Sequence, residues 1–156
     1  MNPENSQDLI NNCISFVKNE LLGAKGGHDW FHIERVYRNA LLIASKEKVN
    51  HLIVALGALL HDIAGSKLHG GDETVGSKKA CAFLKGQNLS EDSIEHIVKI
   101  IENISFKGRN KTSPFTSKEL DVIQDADRLD ALGAIGLARA FNYGGFKNRT
   151  IYNLEI

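Results

Sequence analysis

The sequence predicts an all-α domain, and three observations support this prediction. Only two prolines occur, Pro3 and Pro114. The long stretch between them repeats apolar residues at helical spacing, and it shows no clear period-two alternation of the kind that half-buried strands have. The chain has 156 residues, the size of one ordinary domain that buries a core without disulfide bonds. We therefore expect residues 1–156 to form a single helical domain.

The first three helices are predicted from apolar spacing and from the residues that interrupt it. The first extends from about Ser6 to Leu22 and ends at Gly23. The second extends from about Trp30 to Lys48, with Asp29 as a candidate N-cap. The third extends from about Asn50 to Ala64 and is apolar on all sides. Such a helix belongs in the interior of a protein rather than at its surface.

The next three helices are predicted from caps and apolar stripes. The fourth extends from about Glu73 to Lys85 and is followed by a glycine. The fifth begins after Ser90, because serine commonly caps helix N-termini. The sixth opens at Thr116, which forms the pattern of a capping box with Glu119, and it extends to about Leu132.

The C-terminal part of the chain is predicted to be irregular. Gly133 and Gly136 are expected to bend or break the chain before Tyr143. Residues from Phe141 to Ile156 are expected to form a loop with basic and aromatic side chains. Because no further helix follows to cover this loop, we expect that the domain lacks a C-terminal helical segment.

The composition argues against several classes of protein. Lys and Arg together number 19, as do Asp and Glu, so the formal net charge is zero. A general nucleic-acid-binding protein usually has an excess of basic residues, so we expect no nucleic acid partner. The longest apolar run, Leu52–Leu60, is too short to span a bilayer. Cys13 and Cys81 form no C-x-x-C pair and no signal peptide is evident, so we expect a cytoplasmic protein in a reducing compartment.

The dipeptide His61-Asp62 is the most informative feature of the sequence. It lies at the end of the helix that is apolar on all sides, so its side chains are expected to be buried. A buried carboxylate costs several kcal/mol unless it is paired or bound to a cation. A divalent metal ion would compensate both side chains directly. The alternative is a hydrogen-bonded His-Asp pair that only fixes the end of the helix.

Two further regions offer metal ligands. His32 lies at the margin of the apolar stripe of the second helix, where either a ligand or an ordinary boundary histidine would lie. Three carboxylates, those of Asp125, Asp127 and Asp130, occur within two turns of the sixth helix. Periodicity does not select a ligand among them. The alternative here is a solvated acidic face that pairs with Arg128 and nearby lysines.

Together these residues resemble the HD superfamily of metal-dependent phosphohydrolases. His32, the pair His61-Asp62 and Asp127 match its pattern of a histidine, a His-Asp pair and a later aspartate. The surrounding sequence is similar to a bacterial subfamily in which some members are similar to nucleoside triphosphate pyrophosphohydrolases. The segments that carry this similarity are His28–Trp30, Leu60–Ala64, Gly70–Glu73, Ile104–Gly108 and Asp125–Ala131. The resemblance covers about residues 25 to 152.

This resemblance implies an HD-domain bundle of about six to seven helices and a metal held by four residues, His32, His61, Asp62 and Asp127. Two imidazoles and two carboxylates suit Mn²⁺ or Mg²⁺, with Fe²⁺ as a further candidate. An open coordination position would hold a water molecule and lower its pKa.

Some HD proteins bind a second metal ion through additional histidines. His28, His69 and His96 are the candidates in this chain. Of these, His96 lies opposite the apolar stripe of its helix, so we expect it to be exposed to solvent.

The resemblance also indicates residues around the substrate. Lys67 is expected to contact phosphate groups, and Asp72 and Glu73, in the same glycine-flanked loop, are candidates to orient or activate the water. Further cations that could bind phosphates are Arg35, Lys107, Arg109 and Arg128. The alternatives are solvated surface charges for the basic residues and a helix cap for Asp72.

These inferences predict a metal-dependent phosphohydrolase that cleaves a nucleoside triphosphate to the monophosphate and pyrophosphate by attack of metal-bound water. A nucleoside monophosphate phosphatase and a non-catalytic metal- or nucleotide-binding module are the alternatives. The expected partner is a small phosphorylated molecule, most simply a nucleotide, and no membrane is involved.

Overall fold

The computed structural model describes residues 3–24, 28–63, 74–104 and 115–152, which contain seven helices and no strand. This confirms the predicted all-α fold and the expected number of helices. The helices are α1 (Pro3–Glu20), α2 (Trp30–Ala44), α3 (His51–Leu60), α4 (Thr74–Lys85), α5 (Glu91–Asn103), α6 (Lys118–Asp130) and α7 (Gly133–Phe146).

Helix α3 is the centre of the hydrophobic core. All residues from Ile53 to Leu60 are buried, and the helix packs against α1, α2, α5 and α6. Its close approach to α5 and α6 depends on Gly57. A Cβ atom at this position would lie 2.6 Å from Ile123 Cδ1 and 3.5 Å from Ile100 Cγ2. The prediction that the helix with no polar face is internal is therefore confirmed.

Helices α2 and α3 both end earlier than the sequence predicts. Helix α2 ends at Ala44 rather than near Lys48, and Ser45 hydrogen-bonds to carbonyl groups of its last turn through both its backbone N–H and its hydroxyl. Helix α3 ends at Leu60 rather than at Ala64. Residues 61–63, which include the His61-Asp62 pair, therefore belong to a turn and not to the helix.

The start of α6 differs from the predicted capping box. Ser117 rather than Thr116 is the N-cap residue, and its hydroxyl accepts a hydrogen bond from a backbone N–H of the first turn at 3.1 Å. Glu119 instead accepts a hydrogen bond from the backbone N–H of Asn50 at 2.9 Å. Because Asn50 is the N-cap residue of α3, the Glu119 carboxylate joins the starts of two helices.

The prediction that the chain forms a loop from Phe141 onward is wrong for Phe141–Phe146, which are helical, whereas residues 147–152 form no helix or strand. Helix α7 begins at Gly133 and continues to Phe146, and Gly136 lies inside it. Gly133 has a φ angle of +66°, a left-handed conformation that glycine adopts without strain, and this residue separates α6 from α7. No residue of α7 is buried.

No helix in the described part of the chain is long and apolar enough to cross a bilayer.

Candidate metal centre

The candidate metal centre forms where the ends of three helices meet. His32 lies in the first turn of α2, and the N-cap residue Asp29 accepts a hydrogen bond from its backbone N–H at 3.1 Å. His61 is the C-cap residue of α3, and Asp62 follows it in the turn. Asp127 lies in the last turn of α6. The packing of α2 against both α3 and α6 brings these side chains together.

Three of the predicted ligands form one compact cluster. The Oδ1 atom of Asp127 lies 3.5 Å from His32 Nε2 and 3.8 Å from His61 Nε2. The three potential ligand atoms all lie within 4.8 Å of one another. The two imidazole rings meet edge to face, with centroids 5.3 Å apart. Two imidazole nitrogens and a carboxylate oxygen thus face a common point.

The orientation of the His61 ring is set by its own helix. Its Nδ1 atom lies 2.8 Å from the backbone oxygen of Ala58. A carbonyl oxygen only accepts hydrogen bonds, so Nδ1 carries the proton, and in the neutral ring Nε2 has a free lone pair. Among the described residues, His61 Nε2 is the one buried side-chain nitrogen or oxygen that has no hydrogen-bond partner. A buried polar atom without a partner destabilises a fold by about 1–3 kcal/mol, and a bound metal ion would satisfy it.

The His32 ring is held in the corresponding way. Its Nδ1 atom lies 2.8 Å from Asp130 Oδ2, and the side chain is almost completely buried. Burial, together with repulsion from His61, lowers the pKa of His32 to about 4. The ring is therefore neutral at neutral pH. With the proton on Nδ1, the Nε2 lone pair faces Asp127.

The carboxylate of Asp130 hydrogen-bonds to His32 Nδ1, the ring nitrogen that faces away from Asp127, and to two arginines. Its carboxylate accepts hydrogen bonds from Arg35 Nε at 2.5 Å and Arg35 Nη2 at 3.0 Å. It also accepts one from Arg139 Nη1 at 2.5 Å. Burial raises the pKa of Asp130, but the hydrogen bonds from Arg35 and His32 outweigh burial and hold it below its usual value. Asp130 is therefore a charged, buried acceptor.

Asp62 belongs to a second cluster, which shares His32 with the first. The carboxylate Oδ2 of Asp62 lies 2.5 Å from His28 Nδ1. Potential ligand atoms of His28, His32 and Asp62 lie within 4.8 Å of one another. Burial raises the pKa of Asp62, whereas the hydrogen bond with His28 and the nearby His61 lower it, and the net shift is downward. This carboxylate is thus ready to bind a cation.

The arrangement fits a divalent metal ion. The fold brings together the four residues that the sequence predicts as ligands, because each belongs to one of two clusters that share His32. The strongest indication of fit is the partnerless His61 Nε2, since its lone pair has the chemistry of a metal ligand. The assignment of the four residues as ligands stays a prediction.

The other predicted site residues are placed as follows. Arg35 binds Asp130 through two of its nitrogens. Arg128 lies on the surface, where it contacts Asp125 Oδ1 at 3.2 Å and Gln124 Oε1 at 3.3 Å. The residues that lie outside the described ranges are Lys67, His69, Asp72, Glu73, Lys107 and Arg109.

The expectation that His96 is exposed is wrong. Its side chain is partly buried, and its Nε2 atom lies 3.0 Å from the Ser117 hydroxyl. Its ring also contacts the edge of Phe115. The His96 side chain is thus engaged at the start of α6, whereas the candidate metal centre lies at the end of that helix.

Two residues beside the candidate metal centre have no role in the sequence prediction. Periodicity does not select Asp130 among the three carboxylates of α6, and no pattern in the sequence points to Arg139. Asp130 lies three residues after Asp127 and Arg35 three after His32, a spacing that places side chains on one helix face. This spacing is the sequence feature that could indicate a role for Asp130. The position of Arg139 depends on the direction that α7 takes after the turn at Gly133, which the sequence does not reveal.

Comparison with known proteins identifies the family. A sequence model of the HD domain matches residues 30–132, so the chain belongs to the HD-domain family. The uncharacterised protein YpgQ of Bacillus subtilis is 36% identical over 144 residues, which cover 90% of this chain and 69% of YpgQ.

Solved structures show the same fold. The structure of Bacillus subtilis YpgQ in complex with ADP has a TM-score of 0.76 at 33% identity and covers 96% of this chain and 72% of that one. An HD-superfamily hydrolase from Bacillus thuringiensis has a TM-score of 0.74 at 40% identity, covering 97% and 72% of the two chains. A protein from Lactobacillus plantarum has a TM-score of 0.79 at 32% identity, covering 96% and 68%. The chain is therefore similar to HD-superfamily hydrolases over nearly its whole length.

Proposed function

We propose that this protein is a metal-dependent phosphohydrolase that cleaves a nucleoside triphosphate to the monophosphate and pyrophosphate. The observation that carries the proposal is the lone pair of His61 Nε2, which is buried without a partner and lies 3.8 Å from Asp127 Oδ1. Membership of the HD-domain family supports a hydrolytic role. The substrate class is the further step that experiment must test.

The proposed metal ligands are His32, His61, Asp62 and Asp127. Two neutral imidazoles and two carboxylates carry a formal charge of about −2, which suits a divalent cation such as Mn²⁺, Mg²⁺ or Fe²⁺. When bound, the metal ion would lower the pKa of a water molecule and polarise a phosphoryl oxygen. The hydrogen bond of His61 Nδ1 to the Ala58 carbonyl keeps the Nε2 atom of His61 available as a ligand.

The remaining assignments concern the substrate. We assign Lys67, Lys107 and Arg109 to the phosphate groups, because a triphosphate needs cationic partners for its charge. Asp72 and Glu73 are assigned to orienting the attacking water and accepting its proton.

Two arginines in the described part of the chain are less favourable candidates. Arg35 already neutralises Asp130, so its contribution to phosphate binding is limited to the electrostatic potential. Arg128 is about half exposed and pairs with Asp125, so it would have to exchange this partner for a phosphate.

The choice of a nucleotide as substrate has one specific support. YpgQ, which is 33% identical and has the same fold, has been solved in complex with ADP. A nucleoside diphosphate in a relative favours a site that accepts a base, a sugar and more than one phosphate. By analogy we propose a nucleotide as the substrate here.

The experiment that tests this function is a panel of nucleoside mono-, di- and triphosphates incubated with Mn²⁺ or Mg²⁺, with pyrophosphate and orthophosphate measured separately. Pyrophosphate release from a triphosphate is the expected result. Orthophosphate release from monophosphates would instead identify a nucleoside monophosphate phosphatase. Metal binding without hydrolysis of any nucleotide would identify a non-catalytic binding module.

A pair of variants links the measured activity to this site. Asp127→Asn removes the charge of a proposed ligand and is expected to abolish metal-dependent hydrolysis. Asp121→Asn makes the same chemical change at an exposed position of the same helix and is expected to retain full activity. Equal activity of both variants would contradict the proposed site.

A further inference from the structure

The buried carboxylate of Asp130 lies on the opposite side of the His32 ring from the candidate metal centre. Its side chain is 3% exposed, and it accepts hydrogen bonds from His32, Arg35 and Arg139. These three donors come from α2 and α7, whereas Asp130 is the last residue of α6. The proposed function assigns Asp130 no role.

Two explanations are open for this network. In the first, Asp130 only fastens α2 and α7 to α6, and for that purpose the bidentate contact with Arg35 and the contact with Arg139 are sufficient. The second explanation starts from the remaining bond, which ends on His32 Nδ1 at 2.8 Å. This is the ring nitrogen that the candidate metal centre does not use, and its proton decides which nitrogen carries the lone pair.

We infer that Asp130 is a positioning residue of the metal centre, which holds the proton of His32 on Nδ1 and so directs the Nε2 lone pair to the metal ion. The inference rests on the proposed function, since it assumes that His32 is a ligand. If the proton were on Nε2, an N–H group would point at the position of the metal ion. Carboxylates that bind the outer nitrogen of a ligand histidine in this way also fix the plane of its ring.

The two arginines complete the arrangement. A buried carboxylate must be paired to remain charged, and Arg35 and Arg139 together supply three of the four side-chain hydrogen bonds that Asp130 accepts. They also fix the direction of the carboxylate. Arg139 additionally lies 3.4 Å from the Asp130 backbone oxygen, which connects α7 to the same point. In this arrangement α7 contributes to the metal centre without providing a ligand.

The first test compares Mn²⁺ affinity by titration calorimetry for the wild-type protein, Asp130→Asn and Asp125→Asn. The asparagine at position 130 has the shape of aspartate but cannot accept bonds from His32 and both arginines at once. A loss of outer-sphere partners typically weakens metal binding 10–100-fold, and we expect a loss in this range. Asp125 is exposed on the same helix, so Asp125→Asn controls for the loss of one negative charge and is expected to bind normally.

The second test identifies the protonated nitrogen of the His32 ring directly, and its first measurement uses the wild-type protein. Nitrogen NMR of the metal-free wild-type protein at neutral pH distinguishes the two neutral forms of an imidazole. The inference predicts that His32 has its proton on Nδ1, and that Asp130→Asn gives a mixture of both forms if it folds. A merely structural role of Asp130 would not alter this signature.

The outcomes separate this inference from the proposed function. Wild-type protein that binds no Mn²⁺ would overturn both. Wild-type protein that binds Mn²⁺, with folded Asp130→Asn binding it equally well, would overturn only the role of Asp130. A proton on His32 Nε2 in the metal-free protein would also overturn that role, even if Asp130→Asn does not fold.

Discussion

His32 Nδ1 and Asp130 Oδ2 lie 2.8 Å apart across the contact between α2 and α6, although 98 positions separate the two residues in the sequence. The other nitrogen of the same ring lies 3.5 Å from Asp127 Oδ1. One imidazole therefore joins a buried ion-pair network to the candidate metal centre, so a change on either side of the ring is expected to affect the other side.

Replacing His61 by alanine is expected to remove stabilisation by metal. At a Mn²⁺ concentration of 100 times Kd, binding stabilises a protein by about 2.7 kcal/mol, which raises Tm by roughly 5–10 °C for a domain of this size. Thermal unfolding with Mn²⁺ and with EDTA measures this difference. His51→Ala removes an exposed histidine at the start of the same helix and should retain the shift. An equal shift in His61→Ala would contradict the proposed ligand.

The two cysteines are expected to differ strongly in reactivity. Cys13 is completely buried and Cys81 is partly exposed. Burial raises the pKa of Cys13 to about 12, so almost none of it is thiolate, the reactive form. A thiol reagent at pH 8 should label one cysteine rapidly in the native protein and both after denaturation. Rapid labelling of native Cys81→Ser would show that Cys13 is accessible.

The buried thiol of Cys13 is expected to lower the free energy of unfolding at alkaline pH. The pKa of Cys13 is raised from 9.0 to about 12 by burial, so the unfolded chain loses this proton first as pH rises. The contribution of Cys13 is therefore unchanged below pH 9, and it decreases between pH 9 and pH 12 by up to about 1.4 kcal/mol per pH unit. Urea unfolding at several pH values measures this slope. Cys13→Ala should show a shallower slope, and identical slopes would exclude the effect.

Asn50 is expected to stabilise the core helix α3. Its side chain accepts hydrogen bonds from the N–H groups of Leu52 and Ile53 at 3.0 and 3.3 Å. Removal of an N-cap side chain typically costs about 1 kcal/mol, so Asn50→Ala should lower the free energy of unfolding by about this amount in urea. Asn88→Ala changes an exposed asparagine outside the helices and should have less than half of this effect. Equal stability of the two variants would show that the cap is not needed.

Local patterns predicted the parts of the fold that depend on short stretches of sequence. The burial of α3 followed from its lack of a polar face, and the cap at Ser90 is confirmed by its hydrogen bond to Ser93 N–H. Helix α7 differs from the prediction because Gly133 and Gly136 favour a bend or break in the chain, yet Gly136 lies inside the helix. The spacing of Leu137 and Phe141, four residues apart, was the opposing signal, and it describes the structure better.

The candidate site was predictable only as a list of residues. The pattern of histidines and aspartates named four of them, and the fold brings these four together. The hydrogen bonds of Asp130 were not predictable, because they depend on how α2, α6 and α7 are arranged in space. The same holds for Glu119, whose partner Asn50 is 69 positions away. The roles of Lys67, Asp72 and the other residues outside the described ranges stay predictions.

The lack of space around Gly57 has a consequence for anyone who wishes to redesign this protein. A Cβ atom added at Gly57, in the helix that carries His61 at its end, would lie 2.6 Å from Ile123 Cδ1, so the Ile123 side chain would have to shift to make room for it. Ile123 belongs to α6, the helix that also carries Asp127, so the contact at Gly57 lies between the two helices that hold His61 and Asp127. An engineer who wishes to move His61 relative to Asp127 would therefore begin with the core contact between Gly57 and Ile123.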